Sequence, residues 1–547
     1  MNRELTNKTL ADYLKRTLAS YGNNRAYSII NGESLTYNEF GQRVNELIEL
    51  FNENGINTGA KIALLGGSMP NWPVAYMATT TSSRIIVPLL PDFTAFEIAN
   101  ILEHSECKAI IISKRLIYKL SDSMREKLEY IICLDSLELL KVPADNYPEN
   151  TDATHPKPEK VIHKVPQPDD IASIIYTSGT SGNSKGVILT HENITSNLQM
   201  IYKLYPIDQN DVFLSILPLS HAYECTIGML YPLTEGATVY YLDGAPTPSL
   251  LMPALKKVRP TCILSVPLIV EKIYKNKVRP IFTKNWIMQF IYSLGPIRRI
   301  LHKIAGKKLV EMFGGRLRFF GIGGAKLDLS VEKFLRDAKF PYAIGYGLTE
   351  CSPLIAGAVG KFPVQATGPI LNWMEVRIGN PNKKGIGEIQ VKGANIMKCY
   401  FKDPIRTEAA FTSDGWFRTK DLGKLDKKGN IYIKGRVDNM LLGPNGENIY
   451  PEEIEAVIRE NDFVLECLVT KYKEKLVAKV YFNYDQIEQL KEFNELTFDE
   501  KLADIKKGLL EYVNDKVNKS SKISEIIEQQ VPFEKTATQK IKRFLYT

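Results

Sequence analysis

An apolar stretch ends at Thr177 and runs into Ser178-Gly179-Thr180-Ser181-Gly182-Asn183-Ser184-Lys185-Gly186. Glycines let a backbone approach an anion closely and aim amide hydrogens at it. The hydroxyls add donors and a metal contact, and Lys185 adds a point charge. The spacing is not that of a Walker A loop, because Ser184 precedes Lys185 and Gly186 follows it. A kinase-type G-x-G-x-x-G is absent as well. Read alone, the segment is a cradle for an anionic nucleotide. The plain alternative is a surface turn, which needs neither the hydroxyls nor a lysine directly after an apolar strand.

The segment Tyr176–Gly186 resembles the YTSGTTGxPKG signature of the adenylate-forming superfamily, with Ser181 and Ser184 at the two departing positions. That superfamily includes acyl-CoA synthetases, luciferases and the adenylation domains of peptide synthetases. Further segments resemble the family in its own order. Gly345-Tyr346-Gly347-Leu348-Thr349-Glu350 is similar to its xYGxTE motif. The resemblance implies that Tyr346 stacks on adenine, Thr349 contacts the α-phosphate and Glu350 helps to bind Mg²⁺. Mg²⁺ takes hard oxygen ligands, often one or two protein groups plus substrate phosphates, and Glu350 with Thr177 would supply them.

Gly323-Gly324-Ala325 resembles the loop that lines the adenine pocket. Asp421 stands where the family has the Asp of TGD, with Lys420 in place of Gly, and would accept from both ribose hydroxyls. In Gly435-Arg436-Val437-Asp438-Asn439, Arg436 would contact the ribose and Asp438 would be the hinge. The following loop to Glu455 matches G-x-x-[VI]-x-P-x-EIE. Near the end, Lys540 is in register with the lysine of P-x-T-x-x-GK, with Gln539 replacing Gly. His221 takes the place of the residue that guides the substrate carboxylate.

The implied chemistry is activation of a carboxylic acid by ATP as acyl-AMP, then transfer to coenzyme A. The frame Val266-Pro267…Glu271-Lys272-Ile273-Tyr274 to Gly314-Gly315-Arg316-Leu317-Arg318 resembles long-chain fatty acyl-CoA synthetases, including the insertion between its two parts. A fatty acid, with a long chain, is therefore the expected substrate. Another apolar acid, an acyl carrier protein as acceptor, or an inactive nucleotide-binding scaffold are the other readings. The insertion mixes aromatic and aliphatic residues with many Lys and Arg. Residues 275–308 therefore suit either a peripheral membrane contact or a helix packed on the body with a solvated basic face.

These residues need elements to hold them. With 547 residues the chain is too long for one core. Strand–helix alternation through the first two thirds predicts an α/β fold with mostly parallel sheets. We expect an N-terminal core over 1–435, made of paired α/β subdomains over 1–366 and a small β-rich subdomain over 367–435. A hinge over 436–439 and a mobile α+β lid over 440–547 would follow. In the core, strands are expected at 61–65, 109–112, 171–176, 262–265 and 317–320, and the glycine loop is expected to lead to a helix near Glu192. A Pro-, Asp- and Lys-rich connection is expected over about 146–170.

The formal net charge is +8, a mild basic excess on so large a chain. It suits anionic substrates or a membrane surface and gives no argument for nucleic acid. The seven cysteines include no C-x-x-C pair, which fits a reducing compartment. A cytoplasmic protein is expected, touching the inner membrane face at most peripherally and compatible with a homodimer.

Overall fold

The computed structural model describes residues 8–141, 164–177, 184–244, 246–442, 448–473, 475–488, 497–536 and 540–547. Two eight-stranded sheets dominate. In the first, the strands Ile171–Thr177, Ile85–Leu89, Lys61–Leu65, Ala109–Ile112 and Tyr130–Cys133 lie side by side in parallel. In the second, the parallel set is Arg25–Ile29, Thr238–Tyr241, Val212–Ser215, Cys262–Ser265, Phe319–Ile322 and Tyr342–Gly347. Antiparallel strands close the edges of both sheets.

Each parallel sheet is covered on both faces, as such sheets require. In Lys61–Leu65 the period of two sends Ile62 and Leu64 to one apolar cluster and Ala63 and Leu65 to another. The cluster shared by the two sheets contains residues of the helices Leu10–Tyr21, Tyr37–Glu53, Asn71–Thr81 and His191–Leu204. Helices here, Tyr37–Glu53 and Ala95–Ser105 among them, start where the sequence provides a cap. Thr36 with Glu39, and Thr94 with Glu97, form capping boxes.

The strands expected from sequence occur, with small shifts at their ends. One difference matters for the site. The helix expected near Glu192 occurs, as His191–Leu204, but the glycine loop reaches it through a strand that was not expected. That strand, Lys185–Thr190, is antiparallel and pairs back on Ile171–Thr177. Thr177 and Lys185 face each other across this hairpin. Most of the expected connection over 146–170 lies outside the described residues.

A four-stranded antiparallel sheet follows, built from Glu375–Gly379, Gly387–Lys392, Phe417–Leu425 and Ile431–Arg436. Between them, Cys399–Tyr400 leaves to join the edge of the first sheet beside Val187 and Ile188. The C-terminal unit carries its own core around Val464–Tyr472, Lys475–Phe482, Glu525–Glu528 and the helices Pro451–Ile458 and Phe498–Lys516. Among the described residues, no helix is long and apolar enough to cross a membrane.

The segment Glu224–Leu230 winds with the wider i→i+5 hydrogen bonding of a π-helix. Glu224 lies wholly inside it, and its Oε2 finds no hydrogen-bond partner among the described residues. Burial pushes the carboxyl pKa up to about 8, so the side chain is held neutral. The native protein thus keeps a proton that the unfolded chain releases above about pH 4.5. The stability this contributes is complete below that pH and is lost as pH rises through about 8. Glu224→Gln, neutral at every pH, is expected to flatten the fall in unfolding temperature across that window. Identical profiles for the two proteins would refute the buried neutral carboxyl.

Candidate active site

Side chains from five separate elements converge where the two large sheets meet. The strand Tyr342–Gly347 ends in the turn Thr349–Cys351, which buries Glu350. Lys185 Nζ reaches its Oε1 at 2.7 Å and the Tyr400 hydroxyl reaches the same oxygen at 2.9 Å. Lys185 also donates to the Tyr400 oxygen at 2.8 Å. Burial alone would raise the Glu350 pKa. The Lys185 charge and the hydrogen bonds outweigh it and hold the carboxyl below its ordinary value.

A second triad stands beside the first. The Tyr346 hydroxyl donates to Asp421 Oδ2 at 2.8 Å, and Arg436 Nη1 donates to Oδ1 at 2.8 Å. Asp421 and Arg436 are register partners on adjacent strands, which fixes their side chains on the same side. Lys420, the residue before Asp421, adopts a left-handed φ of 58°. That conformation suits glycine and explains why a Gly-to-Lys departure is tolerated only at a cost. Its ammonium group lies 3.6 Å from Asp438, at the expected hinge.

Lys540 comes from the far end of the chain. Its side chain stays accessible to solvent, within electrostatic reach of Arg436, Asp421, Glu350 and His221. Desolvation by the surrounding protein and the Arg436 charge lower its pKa, against the pull of Asp421 and Glu350. Its position is enforced from both sides. Arg543 is bound to both oxygens of the buried Glu455 at 2.5 Å each, and Lys535 pairs with Glu466. Both bonds come from Nη2, and such a charge-assisted contact to a buried carboxylate ties the tail firmly to its unit.

His221 lies after the strand Val212–Ser215. Its Nδ1 accepts the Tyr223 amide at 3.3 Å, which leaves the ring proton on Nε2. Burial, helped by the Lys540 charge, lowers its pKa to about 4. It is therefore a neutral donor. Gly323 packs against the Tyr223 ring, Gly324 has φ 85°, and Ala325 is exposed beside them. Gly347 is required by a close approach, since a Cβ there would sit 1.9 Å from the Pro353 carbonyl oxygen. Thr349 is half-buried in the same turn.

Ser178, Gly179, Thr180, Ser181 and Gly182 lie outside the described residues, as does most of the loop from Gly443. Thr177, at the loop's root, has a buried Oγ1 with no hydrogen-bond partner among the described residues. That orphaned oxygen and the Glu350 carboxylate are hard donors of the kind Mg²⁺ takes, with substrate phosphates completing the shell. The residues present therefore fit a magnesium ion. Tyr400 was not anticipated. No spacing signals it, because it reaches Glu350 by adding a strand from a distant part of the chain.

The model of the family described as "AMP-binding enzyme" matches residues 14–401. The chain belongs to the AMP-binding enzyme family. It is similar to "Fatty acyl-CoA synthetase A" of Dictyostelium discoideum, 26% identical over 83% of this chain and 73% of that protein. It is similar to "Long-chain-fatty-acid--CoA ligase 1" of Cavia porcellus at 28%, over 75% of this chain and 63% of that longer protein. It also resembles "4-coumarate--CoA ligase 1" of Arabidopsis thaliana at 27%, over 86% and 82%. Among solved structures, the fold is shared with ATP-bound MatB from Rhodopseudomonas palustris, with a TM-score of 0.77, 21% identity and coverage of 99% and 98%. The Bacillus subtilis o-succinylbenzoate CoA synthetase with ATP and magnesium matches with a TM-score of 0.76, 20% identity and coverage of 97% and 98%.

This AMP-binding enzyme has a narrow, mostly apolar cleft of about 30 Å³ on the strand that carries Tyr346. Leu204, Tyr223, Ile227, Leu264, Phe319 and Leu354 line it. Glycines 321, 345 and 357 also line it and keep the strand surface flat, since a Cβ at any of them would press on a neighbouring side chain. Tyr223 belongs to this wall, and its backbone amide is the donor to His221 Nδ1.

A neutral His221 sets a clear pH expectation. The rate profile should show no break in the ordinary histidine range and a fall only as pH drops toward about 4, where the ring charges. His221→Ala should lower kcat/KM for the acid about tenfold to a hundredfold, by loss of one buried donor. A break that lies near pH 6.5 in the parent and is missing from the variant would overturn the neutral assignment.

Proposed function

We propose that this AMP-binding enzyme joins a fatty acid, with a long chain, to coenzyme A through an acyl-adenylate. The carrying observation is the cluster of Lys185, Glu350, Asp421 and Arg436, with an apolar-lined cleft on the strand that leads to it. A fatty acid has a charged head for the cluster, and its tail would have to widen that cleft of about 30 Å³. The names of several relatives support the same reading, while the 4-coumarate ligase supports the aromatic-acid alternative.

In the first half-reaction a carboxylate oxygen attacks the α-phosphorus of ATP, and the bond to the β-phosphate oxygen breaks to release pyrophosphate. Both reactants are anions, so charge neutralisation and positioning dominate. Lys540 supplies a mobile cation at the reacting atoms. The His221 Nε2–H orients the carboxylate. Asp421 and Arg436 hold the ribose, and Tyr346 with Gly323, Gly324 and Ala325 borders the base. Glu350 and Thr177 would hold the magnesium ion, which neutralises phosphate charge when bound. No general base is needed, because the acid is already ionised at neutral pH. In the second half-reaction the coenzyme A sulfur attacks the acyl carbon and AMP leaves. For that step we read 440–547 as a lid that turns about Asp438 and carries Lys540 away from the core over 1–435.

Two experiments test this. Lys540→Ala should slow acyl-adenylate formation by roughly a hundredfold to a thousandfold. It should spare thioester formation from supplied acyl-AMP, and equal loss of both steps would sink the alternation. Separately, a series of acids from about two to about twenty carbons, with an aromatic acid beside them, should give kcat/KM rising about fourfold per methylene until the cavity is full. Gly345→Val, whose side chain enters the cavity, should move the optimum to shorter acids. A best rate on the aromatic acid, or no preference above about eight carbons, would overturn the long-chain reading.

A further inference from the structure

The insertion that suggested two readings from sequence folds into a helical hairpin, Trp286–Ser293 and Gly295–Met312. One side of the hairpin is well anchored. His302 bonds the Tyr292 hydroxyl at 2.8 Å through Nε2 and Asp337 at 3.1 Å through Nδ1. The Phe282 and Tyr292 rings stack at 4.9 Å. Gly306 lies so close to Ala338 that a Cβ would sit 2.5 Å from its carbonyl oxygen. These contacts fix which faces of the helices point outward.

The outward face is not the polar face expected of a packed helix. The helix Trp286–Ser293 is mostly apolar and has no buried residue at all. Trp286 is 76% exposed and Phe290 63% exposed. On the second helix Ile297, Ile300 and Ile304 recur at helical spacing on the side opposite His302, Gly306 and Leu309, and all three are exposed. This helix therefore has one apolar stripe toward the core and another toward solvent. Exposed large apolar side chains concentrated on one hairpin mark a contact surface.

The charges say what it contacts. Residues 275–308 carry nine lysines and arginines and no aspartate or glutamate. Lys303, Lys307 and Lys308 flank the exposed isoleucines, and all three are exposed themselves. Exposed Trp, Phe and Ile rimmed only by cations are complementary to acyl chains beneath an anionic headgroup layer. A second copy of the chain would bring the same nine cations against each other.

We propose that the hairpin over 286–312 docks this enzyme onto an anionic lipid surface, with Trp286, Phe290, Ile300 and Ile304 entering the headgroup boundary. This docking surface does not depend on the acid substrate, so its test is separate from the chain-length series. The full chain should co-float with vesicles of phosphatidylcholine and phosphatidylglycerol, and salt should weaken the binding. Each surface cation is worth about fivefold in partition, so Arg299→Glu/Lys303→Glu/Lys307→Glu should cost about a hundredfold. Trp286→Ser/Phe290→Ser/Ile300→Ser should also release the protein, while adenylation of a short soluble acid stays at the parental rate in both variants. Equal binding to phosphatidylcholine alone, or unchanged binding of both variants, would overturn the proposal. A parent that sediments as a dimer in lipid-free buffer and becomes monomeric in the serine variant would assign the face to a second copy instead, and would overturn it too.

Discussion

The site depends on one buried carboxylate. Glu350 can remain ionised inside the protein only with a cation and hydrogen bonds around it. Lys185 supplies the charge and Tyr400 the second donor, both on Oε1, which leaves Oε2 with its lone pairs for a ligand. Satisfying that oxygen draws together three parts of the fold. Glu350 follows a strand of the second sheet, Lys185 starts a strand of the first, and Tyr400 belongs to a short strand added to the first sheet's edge. The pair therefore pins the seam between the sheets, and the nucleotide residues are arranged along that seam. The ends of parallel strands are where an open α/β sheet offers space for a ligand.

Much of this was legible in the sequence, for physical reasons. A strand such as Lys61–Leu65 shows itself by a short apolar run, and Thr94 with Glu97 spells out a helix start in four residues. Glycines at 323, 324 and 347 reflect positions where backbone or rings come too close for a side chain or where φ is positive. The antiparallel strand at Lys185–Thr190 was not legible, because an apolar run after a glycine loop suits a helix start as well as a strand. Its pairing with Ile171–Thr177 is a tertiary choice. Tyr400 and Glu455 were hidden for the same reason. Their partners, Glu350 and Arg543, lie 50 and 88 residues away, and no local period encodes such a contact. The outward apolar stripe of the hairpin was half legible. Composition showed the basic and aromatic mixture, but only the anchoring through His302 decides which residues face out.

The far C-terminus poses a mechanical problem. In the proposed reaction a single lysine on the tail acts at atoms held by the core, so its placement must be set by something stiffer than its own backbone. The Arg543–Glu455 and Lys535–Glu466 pairs bind the tail to its own unit on both sides of Lys540. Glu455 also accepts the Val469 amide at 2.8 Å, so the clamp reaches into the sheet of that unit. Lys540 is thereby part of a rigid body, and any motion that removes it must move the whole unit. The contacts between unit and core are of a different kind. Lys434–Glu453 and Lys420–Asp438 are partly exposed ion pairs, worth little each and readily exchanged with water. A stiff clamp inside the unit and weak pairs at its junction are the combination that a turning lid requires.

The same contrast extends to the basic hairpin. Just before it, Lys275 donates to the Arg459 carbonyl at 2.9 Å and Arg279 pairs with Asp462, both on the C-terminal unit. The segment that carries the outward apolar face therefore also touches the unit that carries Lys540. Turning the proposed lid would break these two contacts, and holding them favours the arrangement in which Lys540 lies within electrostatic reach of Glu350. Anionic headgroups would compete for the same cations. In the proposed reaction the surface that receives the enzyme thus borders the junction whose opening separates adenylation from thioester formation. The two are joined by one partly exposed ion pair and one exposed hydrogen bond to a carbonyl, which are weak enough for the balance between the arrangements to be shifted.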